Sequence, residues 1–285
     1  MIPNAFDYQR ASSLDEALGL IGAAGTKVIA GGMSLLPLMK LRLANPERLV
    51  DIGRLAELKG VRQLPDGRLA IGALTTYAEL ADSPARHYGL IGDALPDIGD
   101  VQVRNRGTVG GAVAHCDPAS DLPAVLLALD AEIVARSTRG EHVYQADGFF
   151  TGAFSTALAD DELVTEIRLP GPRDDAGSAF VTLSQRASGY SIAGVAAVII
   201  QENGSAITRA GIALTGVGEM PYRARAVEAA LIGNEGTAES IAAAAAHATD
   251  GITVNGDIHA DSEYRAAMAV AYTKRAIVAA LGRLG

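Results

Sequence analysis

The sequence predicts an α+β fold, and three observations support this prediction. Short β-branched segments alternate with amphipathic helical stretches through the first 170 residues. Residues 191–218 form two long apolar runs around Asn203–Gly204, a dipeptide typical of tight hairpin turns. After residue 224, three segments carry apolar residues at helical spacing. A chain of 285 residues organised in this way has room for more than one domain.

The first predicted elements are a helix and a strand. Ser13 and Glu16 form a capping box, apolar side chains then recur at helical spacing, and Gly25 ends the helix. The β-branched segment 27–30 is a short strand that runs into a pair of glycines. An apolar stretch opens at Ser34 after this pair. Short strands follow at 48–52 and 68–72.

The middle of the chain is predicted to be mixed. A second capping box, from Thr76 to Glu79, opens a helix, and a further helical stretch covers 90–99. The segment 103–135 contains a second glycine pair in a predicted loop, a link rich in Pro, Ser and Asp, and then a helix or a buried strand. A strand at 161–170 closes this region.

The C-terminal part has a different pattern. The polar segment 171–178, which contains Gly and Pro, is the best candidate for a linker. The predicted hairpin follows it, and helices are then expected at 225–233, 238–248 and 262–281. The last helix keeps its apolar residues on one face, as a helix packed on a core does.

Composition excludes several classes of function. The net charge is −9 and the basic residues form no cluster, so a nucleic-acid partner is not expected. Cys116 is the only cysteine, so the chain forms no internal disulfide and ligates no iron–sulfur cluster by itself. The N-terminus lacks the pattern of a secretion signal, and the longest apolar runs are too short for a membrane span. We therefore expect a cytoplasmic protein.

The two glycine pairs, Gly31–Gly32 and Gly110–Gly111, are the candidate binding elements. Paired glycines let a backbone approach a ligand closely, and successive N–H groups then form a concavity that suits an anion. Ser34 and Thr108 place a hydroxyl beside each pair. Neither pair belongs to a phosphate loop with a lysine or to a G-x-G-x-x-G turn, and a single glycine pair is usually only a turn. Together they indicate a dinucleotide cradle that grips a pyrophosphate, as in FAD.

Other candidates have simpler explanations. His115, Cys116 and Asp117 are adjacent, and adjacent residues rarely converge on one metal ion, so we expect no metal site. Asp121 is a candidate helix N-cap, and Tyr190 is a candidate core residue. No Ser/His/Asp or Cys/His set is apparent, so we assign no catalytic acid–base residues.

The segments "AGGMSLLPLMKLRL", "VRNRGTVGGAVAHCDPASDLPAVLLALDAEI" and "QRASGYSIAGVA" together resemble the FAD-binding medium subunit of molybdenum hydroxylases. This family includes the carbon monoxide dehydrogenase medium chain and the flavin domain of xanthine dehydrogenase. The resemblance covers essentially the whole chain. It implies a two-part FAD-binding region of the vanillyl-alcohol-oxidase (PCMH) type at 1–172, with subdomains at about 1–55 and 56–172. A C-terminal domain of a small antiparallel sheet and a helical bundle is implied at 177–285.

The resemblance also implies which residues bind FAD. The first loop of the family, which holds the FAD pyrophosphate, maps onto Ala30, Gly31, Gly32, Met33 and Ser34, and Lys27 lies just upstream of it. The second loop maps onto Thr108, Val109, Gly110, Gly111 and Ala112. Asp121 is expected to bond the ribose or neighbouring polar groups of the cofactor, and Tyr190 is expected to lie by the isoalloxazine ring.

Three residues depart from the pattern of the family. Met33 stands where relatives often carry a polar residue, Ala112 where asparagine is usual, and Thr182 where many relatives have a lysine. These changes remove side-chain hydrogen bonds but leave backbone N–H groups in place. We therefore expect FAD binding to be retained.

The function implied by the resemblance is electron transfer within a complex. A large molybdopterin-containing subunit oxidises the substrate, and a small subunit carries [2Fe–2S] clusters. Electrons pass from these clusters through FAD to NAD, oxygen or a quinone, in an expected dimer of heterotrimers. Two alternatives stay open at this point: a stand-alone flavin oxidoreductase of the same fold, and a flavin-free structural assembly subunit.

Overall fold

A computed structural model describes residues 2–201 and 206–284. The turn predicted at Asn203–Gly204 lies outside the described residues. The first sheet is parallel, with strand order β1-β3-β2. Its strands and the helices that connect them are β1 (Asp7–Arg10), α1 (Leu14–Ile21), β2 (Thr26–Ile29), α2 (Leu35–Lys40) and β3 (Arg48–Asp51).

Helix α1 forms only half of the predicted capping box. The Ser13 hydroxyl accepts a hydrogen bond from the Glu16 N–H at 3.2 Å, as expected. The Glu16 carboxylate, however, accepts from the N–H and the hydroxyl of Ser12 instead of bonding the Ser13 backbone. The helix ends at Ile21, earlier than expected, and Gly25 with φ +73° turns the chain into β2.

The second sheet has five antiparallel strands in the order β4-β5-β10-β6-β7, and β8 pairs separately with β9. Its strands are β4 (Val61–Gln63), β5 (Leu69–Gly72), β6 (Glu132–Ser137), β7 (Gly140–Gln145), β8 (Phe150–Gly152), β9 (Ser155–Thr156) and β10 (Leu163–Leu169). The helices of this region are α3 (Tyr77–Ala81), α4 (Gly89–Ala94), α5 (Val101–Arg106), α6 (Val109–His115) and α7 (Asp121–Ala128).

The helices of the middle region confirm one prediction and decide a second that was left open between a helix and a strand. The capping box at Thr76 and Glu79 is confirmed in full at the start of α3. The segment read as a helix or a buried strand is α7, and all eight of its residues are buried. A helix that is apolar on every side shows no 3.6-residue periodicity, which explains why the sequence left both possibilities open.

The third sheet is antiparallel, in the order β11-β12-β13-β14. The strands are β11 (Ala176–Ser184), β12 (Ser191–Gln201), β13 (Ile207–Thr215) and β14 (Tyr222–Arg223), and the helices are α8 (Arg225–Leu231), α9 (Ala238–Ala245) and α10 (Ser262–Leu281). Helix α10 packs on β11 and β12. The long strand pair and the three helices are confirmed. Strand β11 begins inside the predicted linker.

The second and third sheets meet through a shared core and through ion pairs. Phe180 and Ala213 of the third sheet belong to the same apolar cluster as the buried residues of α4 and α7. The Arg223 side chain, almost fully buried, pairs with Asp130 beyond α7 and with Glu228 of α8. In the part of the chain that the structure describes, no helix is both long enough and apolar enough to cross a membrane.

Candidate functional site

The first glycine pair lies in the loop between β2 and α2. Gly32 has φ +74°, a conformation that favours glycine, and the loop residues are partly buried. Among the described residues, none accepts a hydrogen bond from the backbone N–H of Gly31, Gly32, Met33 or Ser34. Buried N–H groups in proteins are nearly always paired, whereas partly buried ones bond water or a ligand. These four successive donors are therefore open to an external acceptor.

The backbone of Gly31 packs directly against the end of α5. A Cβ atom built on Gly31 would lie 1.9 Å from the Arg106 carbonyl oxygen and 3.2 Å from the Cα of Gly107. Any side chain at position 31 would therefore force the two segments apart. The glycine is needed for close approach between the first loop and the residues that precede the second glycine pair.

The second glycine pair is helical, which differs from the predicted loop. Thr108 is the N-cap of α6, and its hydroxyl accepts from the Gly111 N–H at 3.2 Å. The Val109 and Gly110 N–H groups donate to the carbonyls of Thr75 and Ala73, and the Ala112 N–H donates to Thr108. These hydrogen bonds occupy the amides of residues 109–112. They do not support the expectation that this segment offers a second row of free donors.

Gly110 has a packing role that explains its place in a helix. A Cβ atom at this position would lie 2.5 Å from the Cβ of Ala73, just beyond β5. Helix α6 therefore rests on the second sheet at van der Waals distance. The residue that requires glycine at position 110 is Ala73, which lies 37 positions earlier in the chain. The sequence therefore shows the glycine but not the contact that requires it.

Tyr77 joins the glycine segments to a group of polar side chains, and sequence reasoning missed it. Its N–H donates to the Gly107 carbonyl, and its ring lies 2.7 Å from where a Gly107 Cβ would stand. The side chain is 6% exposed, and its hydroxyl has no hydrogen-bond partner among the described residues. Burial, followed by the charges of Asp121 and Tyr190, raises the pKa of Tyr77. The available sequence signal was an aromatic residue directly after the Thr76 cap.

Asp121 is buried and bonded to hydroxyl groups. Ser120 is the N-cap of α7, so the interpretation of Asp121 as the N-cap is wrong by one residue. Asp121 is 5% exposed, and its Oδ1 accepts from the Ser191 hydroxyl at 2.5 Å. The Thr182 hydroxyl lies 2.6 Å from the same Ser191 oxygen. Burial raises the pKa of Asp121 to about 7, the Ser191 hydrogen bond opposes this effect, and Asp97 adds to it.

Tyr190 lies at the end of a short loop just before β12. The loop is closed by the Gln185 N–H, which donates to the Tyr190 carbonyl at 2.8 Å. The Tyr190 side chain is 49% exposed, so it is not a core residue. Burial of its hydroxyl and the nearby charge of Asp117 raise the pKa of Tyr190. An exposed aromatic ring beside buried Asp121 and Tyr77 suits contact with a planar ligand.

The segment that carries Asp121 is fixed by the third sheet. The Thr215 hydroxyl lies within hydrogen-bond distance of the carbonyls of Pro118 and Ser120, at 2.9 and 2.8 Å. The Gly216 N–H also donates to Pro118. Helix α10 in turn holds the end of β13 that contacts this segment, because the Arg265 guanidinium donates to the Gly216 carbonyl at 2.6 Å. The C-terminal sheet and helix therefore help to position the segment.

The remaining candidates are dispersed. The His115 ring packs against Phe154, with ring centres 5.1 Å apart, whereas the Cys116 thiol donates to the Gly152 carbonyl. Burial raises the pKa of the Cys116 thiol to about 11. Lys27 is exposed on β2. The structure thus brings together Gly31, the Gly107 segment, Tyr77, Asp121 and Tyr190.

Two family models match this chain. Residues 4–172 match the FAD binding domain in molybdopterin dehydrogenase, and residues 178–280 match the CO dehydrogenase flavoprotein C-terminal domain. The chain belongs to this flavoprotein family. The fold class, the FAD cofactor and the assignment as an oxidoreductase are thereby confirmed.

Individual relatives agree with this assignment over their whole length. The carbon monoxide dehydrogenase medium chain of Hydrogenophaga pseudoflava is 39% identical and covers 99% of both chains. The 6-hydroxypseudooxynicotine dehydrogenase complex subunit alpha of Paenarthrobacter nicotinovorans is 36% identical over 99% of this chain and 97% of its own. Among solved structures, the carbon monoxide dehydrogenase of H. pseudoflava superposes with a TM-score of 0.96 over 100% of both chains, at 40% identity. Quinoline 2-oxidoreductase from Pseudomonas putida 86 gives 0.92 at 31% identity, over 100% of both chains.

The residues present fit the cofactor of this family. A dinucleotide such as FAD carries a pyrophosphate, which suits the unpaired N–H groups of residues 31–34 because backbone amides bind anions without a cationic side chain. The space beside them is bounded by close backbone contacts at Gly31 and Gly107. The Met33 N–H is one of these unpaired donors, so the apolar side chain at position 33 removes none of them.

Proposed function

We propose that this protein is the FAD-carrying electron-transfer subunit of a molybdenum hydroxylase complex. In this proposal, electrons from the [2Fe–2S] clusters of a partner chain pass through FAD to an external acceptor, which is NAD, oxygen or a quinone. The observation that carries the proposal is the row of unpaired amides at Gly31–Ser34, held in place by the contact of Gly31 with Arg106. Bound FAD supplies the redox chemistry, and the protein supplies binding, orientation and electrostatics.

The proposed roles of the site residues follow from their contacts. Residues 30–34 hold the pyrophosphate through backbone donors, with Lys27 near the start of this segment. Residues 108–112 contribute the surface of the first turn of α6, since their amides from 109 onward are already bonded. Asp121 and Tyr190 line the region next to Tyr77 and are proposed to face the ring end of the cofactor. We also propose that the FAD-binding region ends at 172 and that the second domain begins at 177.

We infer the partners from the relatives, which are subunits of larger complexes. The relatives named above are described as a medium chain and as a complex subunit. We infer that this chain likewise assembles with a large molybdopterin-containing subunit and a small [2Fe–2S] subunit, as a dimer of heterotrimers. Cys116, the single cysteine, is buried and bonded to the Gly152 carbonyl. Clusters with cysteine ligands must therefore come from another chain.

Native purification tests this function. We expect the chain to co-purify with two other chains and the complex to contain flavin, iron and molybdenum. A purified chain that shows no flavin absorption, even after FAD is added, would contradict the cofactor role. A chain that binds FAD but purifies alone, without iron or molybdenum, would contradict the role as a complex subunit and favour a stand-alone flavoenzyme.

A further inference from the structure

Helix α2 is largely exposed although its sequence, LLPLMK, is apolar up to the final lysine. Met39 is the only residue of this helix that the structure buries. An apolar helix in a soluble protein normally turns most of its side chains towards a core. Leu41 and Leu43, which follow the helix, are 53% and 73% exposed. The outer side of α2 is therefore left uncovered by the described part of the chain.

The topology of the first sheet explains why α2 is uncovered. The strand order is β1-β3-β2, so the connections from β1 to β2 and from β2 to β3 run in opposite directions across the sheet. Crossovers between parallel strands are right-handed, which places α1 and α2 on opposite faces. Buried residues of α1 share an apolar cluster with Leu74 and Leu163 of the neighbouring region. Helix α2 lies on the face turned away from that cluster.

The N-terminal segment extends the exposed apolar surface at the end of α2. The Asn4 side-chain amide donates to the Asn45 side-chain oxygen at 2.8 Å, and the Asn45 amide donates to the Arg42 carbonyl at 3.0 Å. These bonds place residues 2–6 beside residues 41–45. We call the side chains that this arrangement exposes together the α2 patch, which consists of Ile2, Phe6, Lys40, Leu41, Arg42 and Leu43. Exposed apolar surface of this kind, bordered by polar groups, marks an interaction site.

The α2 patch is cationic in an acidic chain. The net charge is −9, yet no aspartate or glutamate lies between Glu16 and Glu47. Lys40 and Arg42 are exposed, and neither pairs with an acid among the described residues. Asp7, at the start of β1, and Glu47 are the acids that border the patch. The patch therefore suits a partner whose apolar contact surface carries carboxylates.

Arg42 keeps its side chain at a position that favours glycine. Its φ is +60°, and the helix ends with the Arg42 N–H donating to the Met39 carbonyl and the Leu43 N–H donating to the Leu38 carbonyl. This pair of bonds defines a Schellman motif, in which glycine is usual because it adopts the left-handed conformation without strain. The stability of the chain alone thus does not account for arginine at this position.

We propose that the α2 patch is the docking surface for the [2Fe–2S] chain of the complex. This inference rests on the proposed function. A [2Fe–2S] cluster with four thiolate ligands carries a net negative charge, which complements the cations of the patch. Helix α2 has six residues, so the patch begins about 9 Å along the helix from the amides of residues 31–34. A chain docked there lies beside the FAD site without occupying it.

Charge separates this occupant from a second copy of the same chain. A two-fold interface between identical chains places the same patch on both sides. Lys40 and Arg42 of one copy would then face the same cations of the other, and like charges across an interface reduce affinity. A chain that supplies carboxylates has no such cost.

The first test is carbodiimide cross-linking of the purified native complex, followed by mass spectrometry of the linked peptides. Carbodiimide joins an amine only to a carboxylate that is in contact with it. We expect Lys40 to be linked to an aspartate or glutamate of the [2Fe–2S] chain. Lys274, which is exposed on α10, is the control and should not be linked to that chain.

The second test compares variants in the same complex. Leu41→Gln removes an apolar contact, and its control is Ile232→Gln, because Ile232 is equally 53% exposed but lies just after α8. We expect Leu41→Gln to weaken binding of the [2Fe–2S] chain about tenfold, measured as dissociation on dilution by mass photometry, and the control to leave it unchanged. The FAD content of both variants should equal that of the wild type.

Arg42→Gly separates docking from folding. Glycine relieves the left-handed conformation, so the isolated variant should unfold at a higher denaturant concentration than the wild type. The same variant lacks a cation of the α2 patch and should bind the [2Fe–2S] chain about tenfold more weakly. A purely structural role for Arg42 would not give a more stable chain that assembles less well.

The outcomes distinguish this inference from the proposed function. If no [2Fe–2S] chain co-purifies, the proposed function fails and the inference fails with it. If the complex forms but Lys40 is linked to the molybdenum chain or to a second copy, or is not linked at all, the docking surface is overturned and the proposed function stands. Dissociation of Leu41→Gln and Arg42→Gly at the wild-type concentration, or an equal loss in Ile232→Gln, would overturn it as well.

Discussion

Replacing Gly31 with alanine tests the geometry of the site most directly. The new Cβ would lie 1.9 Å from the Arg106 carbonyl oxygen, where an ordinary contact is at least 3.4 Å. The first loop and the end of α5 must therefore separate by about 1.5 Å, and both are backbone segments that cannot rotate away. Overpacking of this kind costs about 1–3 kcal/mol. We expect Gly31→Ala to lose that amount from the free energy of unfolding.

FAD affinity should fall further than stability in the same variant. The four unpaired amides belong to the displaced loop, and a hydrogen bond to a charged group contributes about 1.5–3 kcal/mol. Loss of one such bond weakens binding by at least about tenfold. The control is Gly19→Ala, on the exposed face of α1, where a Cβ meets nothing within 4 Å and should stabilise the helix by about 0.5–1 kcal/mol. Equal unfolding free energies and FAD affinities for Gly31→Ala and wild type would refute the reasoning.

Three further predictions concern stability and are measured by denaturant unfolding. Thr76→Ala removes the capping box of α3 and should cost about 1 kcal/mol, and an unchanged transition would contradict the role of the cap. Asp121 holds a proton in the folded chain up to a pKa of about 7, against about 3.9 when unfolded, so wild-type stability falls as pH rises through this window. The free energy of unfolding of Asp121→Asn should lack this fall, so its difference from the wild type should grow by up to roughly 4 kcal/mol in favour of the variant between pH 4 and 8. If the free energies of unfolding of both proteins depend on pH in the same way, the raised pKa of Asp121 is refuted. Arg265→Leu leaves the Ile192 and Gly216 carbonyls without their donor and should cost about 1–3 kcal/mol, and a neutral effect would exclude its anchoring role.

Features set by neighbouring residues were predictable from the sequence. The capping box at Thr76, the long helix α10 and the paired strands β12 and β13 follow from local spacing, and the structure has all of them. Strands β1 and β4 were missed, since each is short and partly exposed and owes its conformation to a partner strand. Local periodicity has no means of showing such pairing.

The same limit explains what was missed in the site. Gly110 looked like a loop residue because its reason for being small, the contact with Ala73, lies in another element. Asp121 was assigned to the cofactor by resemblance, but its bond to Ser191 spans 70 positions. Tyr77 carried no motif of its own. The glycines could be identified because their conformational freedom follows from the residue type alone. The burial of Asp121 and Tyr77 depends on residues that are distant in the sequence, so only the folded structure shows it.

The assembled fold also argues that the C-terminal domain is part of the site and not an appendage. Arg265 of α10 fixes the Ile192 carbonyl, and Ile192 directly follows the Ser191 that bonds Asp121. The same guanidinium donates to the Gly216 carbonyl, and the Gly216 N–H donates to the Pro118 carbonyl, three residues before α7 begins at Asp121. One buried cation thus sets both ends of the Ser191–Asp121 hydrogen bond. A chain truncated after the FAD-binding region would lose Ser191 and Arg265 together with Phe180 and Ala213 of the shared core, so it should unfold more readily and bind FAD more weakly than the full chain.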